Sequence, residues 1–396
     1  MATLFLLVIY AAFISLGLPD ALLGVAWPVM QPEFAVPFSA AGIISMVISG
    51  GTIVSSLLSG KILARFGTGR VTVVSVTMTA VALLGFGLAP AFFWLILLAI
   101  PLGLGAGSVD SGLNDYVARH YEARHMSWLH CFWGLGAMLG PVIISQYIQD
   151  QSWRNGYLTV SIIQCGLVAI LFFTLPVWEK VAKQSPKHSP EPEDEPHIVD
   201  IPKGVFYPLQ VNGVKTVLMI FLFYCGIEAT MGLWGSSFLV KIKGLDVATA
   251  AQWVSFFYGS ITLGRFISGF VTVRMSSESL IRIGEIGILL GVILLILPLP
   301  TIFSLISFIL IGLGCAPIFP SMLHETPARF GREDAPMIMG FQMAVAYTGA
   351  TFLPPIFGVI ASGTTFALMP AVFLLYIGVM VINSERINNY IKLKRA

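Results

Sequence analysis

From Leu4 to Ser384 the chain is a succession of long apolar runs, parted by short breaks and one polar stretch that hold most of its charge. A helix needs about 20 apolar residues to cross a bilayer. Inside hydrocarbon the backbone must satisfy its own hydrogen bonds, so runs of this length are read as helices. Only 11% of the 396 residues are charged and 56% are hydrophobic. A soluble domain carries about 25% charged residues, so this chain lacks the surface to face water all round. It reads as an all-α integral membrane protein.

Cutting the runs at charged or Gly/Pro-rich breaks gives twelve spans: 4–31, 38–63, 70–90, 92–117, 127–149, 155–177, 212–240, 247–272, 280–299, 301–324, 335–361 and 364–384. The first begins at Leu4 without a basic leader and is too long for the apolar core of a signal peptide, roughly 7–15 residues. Of 22 basic residues, 18 fall on one side of these spans; Arg154, Lys241 and Lys243 fall on the other, and Arg265 lies inside a span. The positive-inside rule then puts both termini in the cytosol, and the expected location is the plasma membrane. The domains follow as an N-terminal six-helix bundle, 1–178, a cytosolic linker, 179–211, and a C-terminal six-helix bundle with a short tail, 212–396. The linker is rich in Pro, Ser and mixed charge, a composition that cannot bury a core. It reads as a solvated tether, with a regulatory role as the other possibility.

The two bundles repeat each other. "DALLG" (Asp20 to Gly24) recurs as "EATMG" (Glu228 to Gly232), with Trp27 and Trp234 just beyond. "SGKILAR" (Ser59 to Arg65) answers "SGFVTVR" (Ser268 to Arg274), and "LNDYVAR" (Leu113 to Arg119) answers "LHETPAR" (Leu323 to Arg329). "GAMLGP" (Gly136 to Pro141) answers "GATFLP" (Gly349 to Pro354). The offsets run only from 208 to 213. Such parallel repeats are built around an axis along the membrane normal, with solute and coupling-ion sites near the midplane between the halves.

Two six-helix halves, a central linker and the loop "GKILARFGTGR" after the second span, with Gly60, Arg65, Gly67 and Arg70, resemble the major facilitator superfamily. That family has an acid just before the first arginine, where this chain has Ala64. Asp20, the fourth-span "GLGAGSVDSGLNDY", the seventh-span "FLFYCGIEATMGLW", "GRFISG" and "IFPS" are similar to the fucose–proton symporters and related sugar carriers. That group often has Glu where Asp110 stands. The resemblance implies twelve helices in two pseudo-symmetric bundles and alternating access to a central site. It also implies import of a small polar solute, a sugar first of all, with a proton as coupling ion.

Asp20 and Glu228 sit mid-span, where a charge costs at least ~2.5–3.5 kcal/mol on insertion scales. Asp110 lies among glycines in the fourth span. All three are candidate proton carriers; the plain alternative is a permanently protonated packing residue. Arg265 keeps its charge and needs a partner, either a carboxylate or a solute. Trp27, Asn114, His130, Trp133, Trp234, Tyr258, Arg265 and Gln342 are the candidate solute contacts, because aromatic faces beside amides suit a sugar. Trp94, Trp128, Trp153 and Trp178 fall at span ends, where interfacial anchoring is expected. At the cytosolic mouth, Arg65, Arg70, Asp115, Arg119, Arg274, Glu325 and Arg329 are candidate gating residues, forming salt bridges between helices.

Cys131, Cys165, Cys225 and Cys315 lie inside spans without metal-ligand spacing, so no metal site is expected. No nucleophile–base set or phosphate loop is present, and the protein is not expected to be an enzyme. The expected partners are the solute, H+ and the lipid bilayer, with no nucleic acid and no cofactor, and a monomer is expected. Proton-coupled drug efflux is the rival function, because "GAMLGP" partly matches an antiporter motif. A non-transporting sensor on the same scaffold is a third reading, with little room for a partner domain.

Overall fold

The computed structural model describes residues 2–120, 123–148, 152–184, 207–271, 274–331 and 334–395. The N-terminal half comprises α1 (Ala2–Gly17), α2 (Leu22–Phe34), α3 (Ala40–Phe66), α4 (Thr68–Leu88), α5 (Phe92–His120), α6 (Ala123–Ile148) and α7 (Trp153–Gln184). The C-terminal half comprises α8 (Val214–Lys243), α9 (Val247–Val271), α10 (Ser277–Ile296), α11 (Ile302–Phe330), α12 (Ala335–Gly363) and α13 (Met369–Arg395). Together α1 and α2 make one span, so the described residues form twelve spans. Most of the expected linker lies outside the described residues. The two ends of the bundle are called here the linker end, where the termini also lie, and the far end.

The first span differs from expectation. It is not one helix but two, parted by a turn at Leu18–Ala21 that holds Asp20. Pro19 has no N–H and cannot bond the carbonyl four residues back. The chain crosses the turn on two short-range bonds, Asp20 N–H to the Gly17 carbonyl and Leu22 N–H to the Pro19 carbonyl, both 3.1 Å. Gly67 alone separates α3 from α4, at φ +79°. That conformation is open to glycine and costly for other residues.

Lipid gives helices no hydrophobic reason to associate, so they pack where small residues let backbones approach. The repeat is written in these crossings. In the N-terminal half, a Cβ on Gly103 of α5 would strike the Ile48 carbonyl of α3; in the C-terminal half, one on Gly312 of α11 would strike the Phe257 carbonyl of α9. Both glycines and both carbonyls differ by 209 in number. Likewise Gly136 of α6 abuts the Ile14 carbonyl of α1, and Gly349 of α12 abuts the Leu222 carbonyl of α8. Gly24 and Gly232, the closing residues of "DALLG" and "EATMG", meet each other where α2 crosses α8 between the halves.

The far end is closed by an aromatic seal. Phe38, on the α2–α3 turn, packs against Trp234 at 5.8 Å and Phe366 at 5.2 Å, both of the other half. The Lys241 ammonium stands 3.2 Å from the centre of the Phe38 ring. Trp27 holds the knob from behind, its indole N–H on the Phe38 carbonyl at 2.7 Å. Near the same end, Glu33 joins Trp153 at 2.6 Å and Arg154 at 3.2 Å, bracing α2 against α7. Trp153 and Trp178 are thus buried packing residues and not interfacial anchors, whereas Trp94 and Trp128 are exposed.

Gly103→Val and Gly312→Val are expected to cost about 1–3 kcal/mol each through overpacking. Gly166→Ala, which faces open space, is expected to be neutral or to stabilise slightly. Thermal unfolding of the detergent-purified protein checks all three.

Candidate functional site

The α1–α2 turn presents Asp20 to open space at mid-span, where its side chain is exposed. The turn is secured from behind. Pro19 leaves the Ser15 carbonyl without its usual donor, and Gln164 of α7 supplies one, Nε2 to oxygen at 2.6 Å. Gly17 lets α1 lie directly on the Trp133 backbone of α6. From there the Trp133 indole N–H donates to Asp20 Oδ2 at 2.7 Å.

Trp133 is also where the halves meet. Its ring lies edge-on to Tyr258 of α9, centroids 6.4 Å apart, and the Arg265 guanidinium carbon stands 5.4 Å from its centre. Arg265 Nη2 is 3.7 Å from Glu228 Oε1 on α8, and Tyr224, one turn before Glu228, donates to Oε2 at 2.6 Å. Asp20 and Glu228 are therefore linked through the Trp133 indole and the Arg265 guanidinium.

Asp110 occupies a second bridge. Asn114 Nδ2 donates to its Oδ1 at 2.8 Å, and Tyr347 of α12 donates to Oδ2 at 3.3 Å across the interface. A carboxylate accepts up to about four hydrogen bonds, so each of these acids has capacity left for a hydroxyl-bearing solute. His130 lies beside Phe13, edge to face at 5.9 Å.

Other expected residues lie elsewhere. Trp27 and Trp234, expected to touch solute, are fully buried in the far-end seal, and the Trp234 N–H is taken by the Pro354 carbonyl at 2.7 Å. Gln342 is fully buried too, exchanging hydrogen bonds with Thr326 at 2.9 and 3.1 Å. Among the candidate gating residues, Glu325 pairs with Arg329 on its own helix at 3.8 Å, and Arg329 reaches Asn388 of α13 at 3.3 Å. These bonds brace one half internally and do not bridge the two. Arg65, Arg70 and Arg274 are exposed at the linker end. The side chains of Asp115 and Arg119 lie outside the described residues.

Two residues of the site carried no earlier reading. Tyr224 stands four residues before Glu228, a spacing that places both on one helix face, so it was legible. Tyr347 meets Asp110 only through the fold. Among the described residues no His/Cys/Asp/Glu cluster could hold a metal.

Comparison with known proteins decides the family. A profile of the Major Facilitator Superfamily matches residues 9–324. The chain belongs to that superfamily. It is 24% identical over 323 residues to the "Glucose/mannose transporter GlcP" of Bacillus subtilis, covering 79% of this chain and 77% of the relative. It is 23% identical over 353 residues to the "Cis,cis-muconate transport protein" of Acinetobacter baylyi, covering 86% and 83%. A D-xylose-proton symporter superposes with TM-score 0.74 at 14% identity, covering 97% of this chain and 96% of the other. This member of the superfamily is a multi-pass membrane transporter and not an enzyme.

Gln164→Leu is expected to cost about 1–3 kcal/mol by stranding the Ser15 carbonyl. Pro19→Ala restores an N–H four residues on, so in that background the same substitution is expected to cost clearly less. A thermal-melt cycle on the four variants measures the difference.

Proposed function

We propose that the protein imports a small polar solute, most simply a sugar, together with a proton, by rocking its halves around the site just described. The observation that carries this reading is the convergence of three in-span carboxylates, Asp20, Asp110 and Glu228, on the interface between the halves. Each is held by an aromatic or amide donor and not buried in an apolar core. Intramembrane acids facing a bundle interior mark ion and solute pathways. A carboxylate beside an indole face also suits a hydroxyl-rich ring, which is apolar on its flat side and polar on its rim. The named sugar carriers among the relatives support the same choice.

Protonation of an in-span acid removes a charge whose burial is costly, and the half that carries it can then move past apolar neighbours at lower cost. Asp20, Asp110 and Glu228 would carry or sense the proton. Trp133, Asn114, Tyr258 and Arg265 would hold the solute. On this reading the termini and linker face the cytosol, the membrane is the plasma membrane, the protein works as a monomer, and no cofactor besides the proton takes part. An organic anion is the second candidate solute, favoured by Arg265 within the site and by the muconate relative.

Uptake of labelled hexoses, xylose and a dicarboxylate into proteoliposomes, with and without an inward proton gradient, tests the proposal. The expected result is sugar accumulation that requires the gradient and is abolished by Asp20→Asn. Accumulation without a gradient, or in full by the variant, would sink the coupling; uptake of the dicarboxylate alone would move the solute class.

A further inference from the structure

Arg265 is a basic residue at the interface between the halves, and its surroundings are unequal. On its own half it has Glu228 at 3.7 Å, a long contact for an ion pair. Toward the other half it stands over the Trp133 ring, whose N–H is on Asp20. The titratable groups around it are Glu228, Tyr224 and Cys225 on α8, Cys315 on α11, and His130 and Cys131 on α6. Of these only Glu228 is an acid. Beyond the indole, the acids of the site are Asp20 and Asp110, and the latter already has two donors.

A guanidinium does not lose its proton at any ordinary pH, and removing one partner of a buried ion pair is strongly destabilising. If Glu228 takes up a proton, Arg265 therefore cannot stay where it is at no cost. Asp20 has more capacity to spare than Asp110: Trp133 N–H is its one side-chain donor among the described residues, and the indole that bonds it at its N–H edge carries the guanidinium over its ring.

We propose that Arg265 is a switching counter-ion. It pairs with Glu228 while that carboxylate is ionised and crosses the interface to Asp20 when Glu228 is neutral, with Trp133 as the positioning residue that guides it. The exchange moves the arginine's attachment from α8 of its own half to the α1–α2 turn of the other. A proton arriving on one acid thus becomes a tie between the halves around the solute. The inference rests on the proposed proton coupling for its purpose, but its test does not require transport.

The test is a triple-mutant cycle read by thermal midpoint in detergent, using Asp20→Asn, Glu228→Gln and Arg265→Gln in the full-length protein. With Arg265 present, either acid alone can still serve it. Losing both is expected to lower the midpoint roughly 2–4 °C beyond the sum of the single losses. With Arg265→Gln that excess is expected to vanish. Additive losses with Arg265 present, or an excess that persists without it, overturn the proposal; a direct effect between the two acids would survive the arginine's removal.

Trp133→Phe provides a second measurement should the double variant fail to fold. It keeps a ring but loses the N–H on Asp20. The ratio of solute exchange at acid pH to that at alkaline pH is expected to fall several-fold below the ratio for the unmodified protein. A uniform loss across pH, or no loss, overturns the guiding role. Failed gradient-driven uptake with a positive cycle would sink the symport reading and leave the switch standing.

Discussion

Close approach of backbones at glycines is the constraint on which this molecule rests. Lipid tails are as apolar as leucine, so a bundle in the membrane coheres only where atoms pack densely. Gly103 on Ile48, Gly312 on Phe257, Gly136 on Ile14 and Gly349 on Leu222 supply those crossings in matched pairs. They make each half a rigid unit.

The duplication extends to packing and stops at chemistry. Asp20 and Glu228 are equivalent positions, yet Asp20 takes its donor from a neighbouring helix while Glu228 takes one from its own helix, one turn earlier. Ser56 stands in the first half where Arg265 stands in the second, at the repeat offset of 209. The tyrosine that bridges to Asp110 has no counterpart either, since Gly134 occupies the matching position at offset 213. A scaffold with two matching halves thus holds a site with unequal ones.

Much of this was legible in the chain. Apolar run length gave twelve spans, and constant offsets gave two halves. The cost of a charge in hydrocarbon singled out Asp20, Asp110 and Glu228. What escaped was whatever depends on a partner far away in sequence. Pro19 announced a kink, but whether the helix bends or breaks depends on who takes up the stranded carbonyl, and Gln164 lies 149 residues away. Trp27 and Trp234 are candidate solute contacts by sequence because aromatic faces suit a sugar; in the fold their positions lie nearer the far end, where the rings fill the seal. Glu325 and Arg329 carry opposite charges at helical spacing, and in the fold they pair on their own helix.

The two ends of the bundle are closed by different physics. At the far end Phe38 sits among Trp27, Trp234 and Phe366, with a single ammonium on its face. At the linker end charged groups crowd the helix termini, as in the two-point Arg282–Glu385 contact at 2.6 and 2.7 Å with Glu278 beside it. Dissolved salt screens exposed charges over about 8 Å at physiological strength and leaves stacked rings almost untouched. Ionic strength therefore acts on the Arg282–Glu385 contact and hardly on the ring seal. The Phe38 seal keeps its grip in fresh or salty surroundings alike, while the Arg282–Glu385 contact weakens as salt rises.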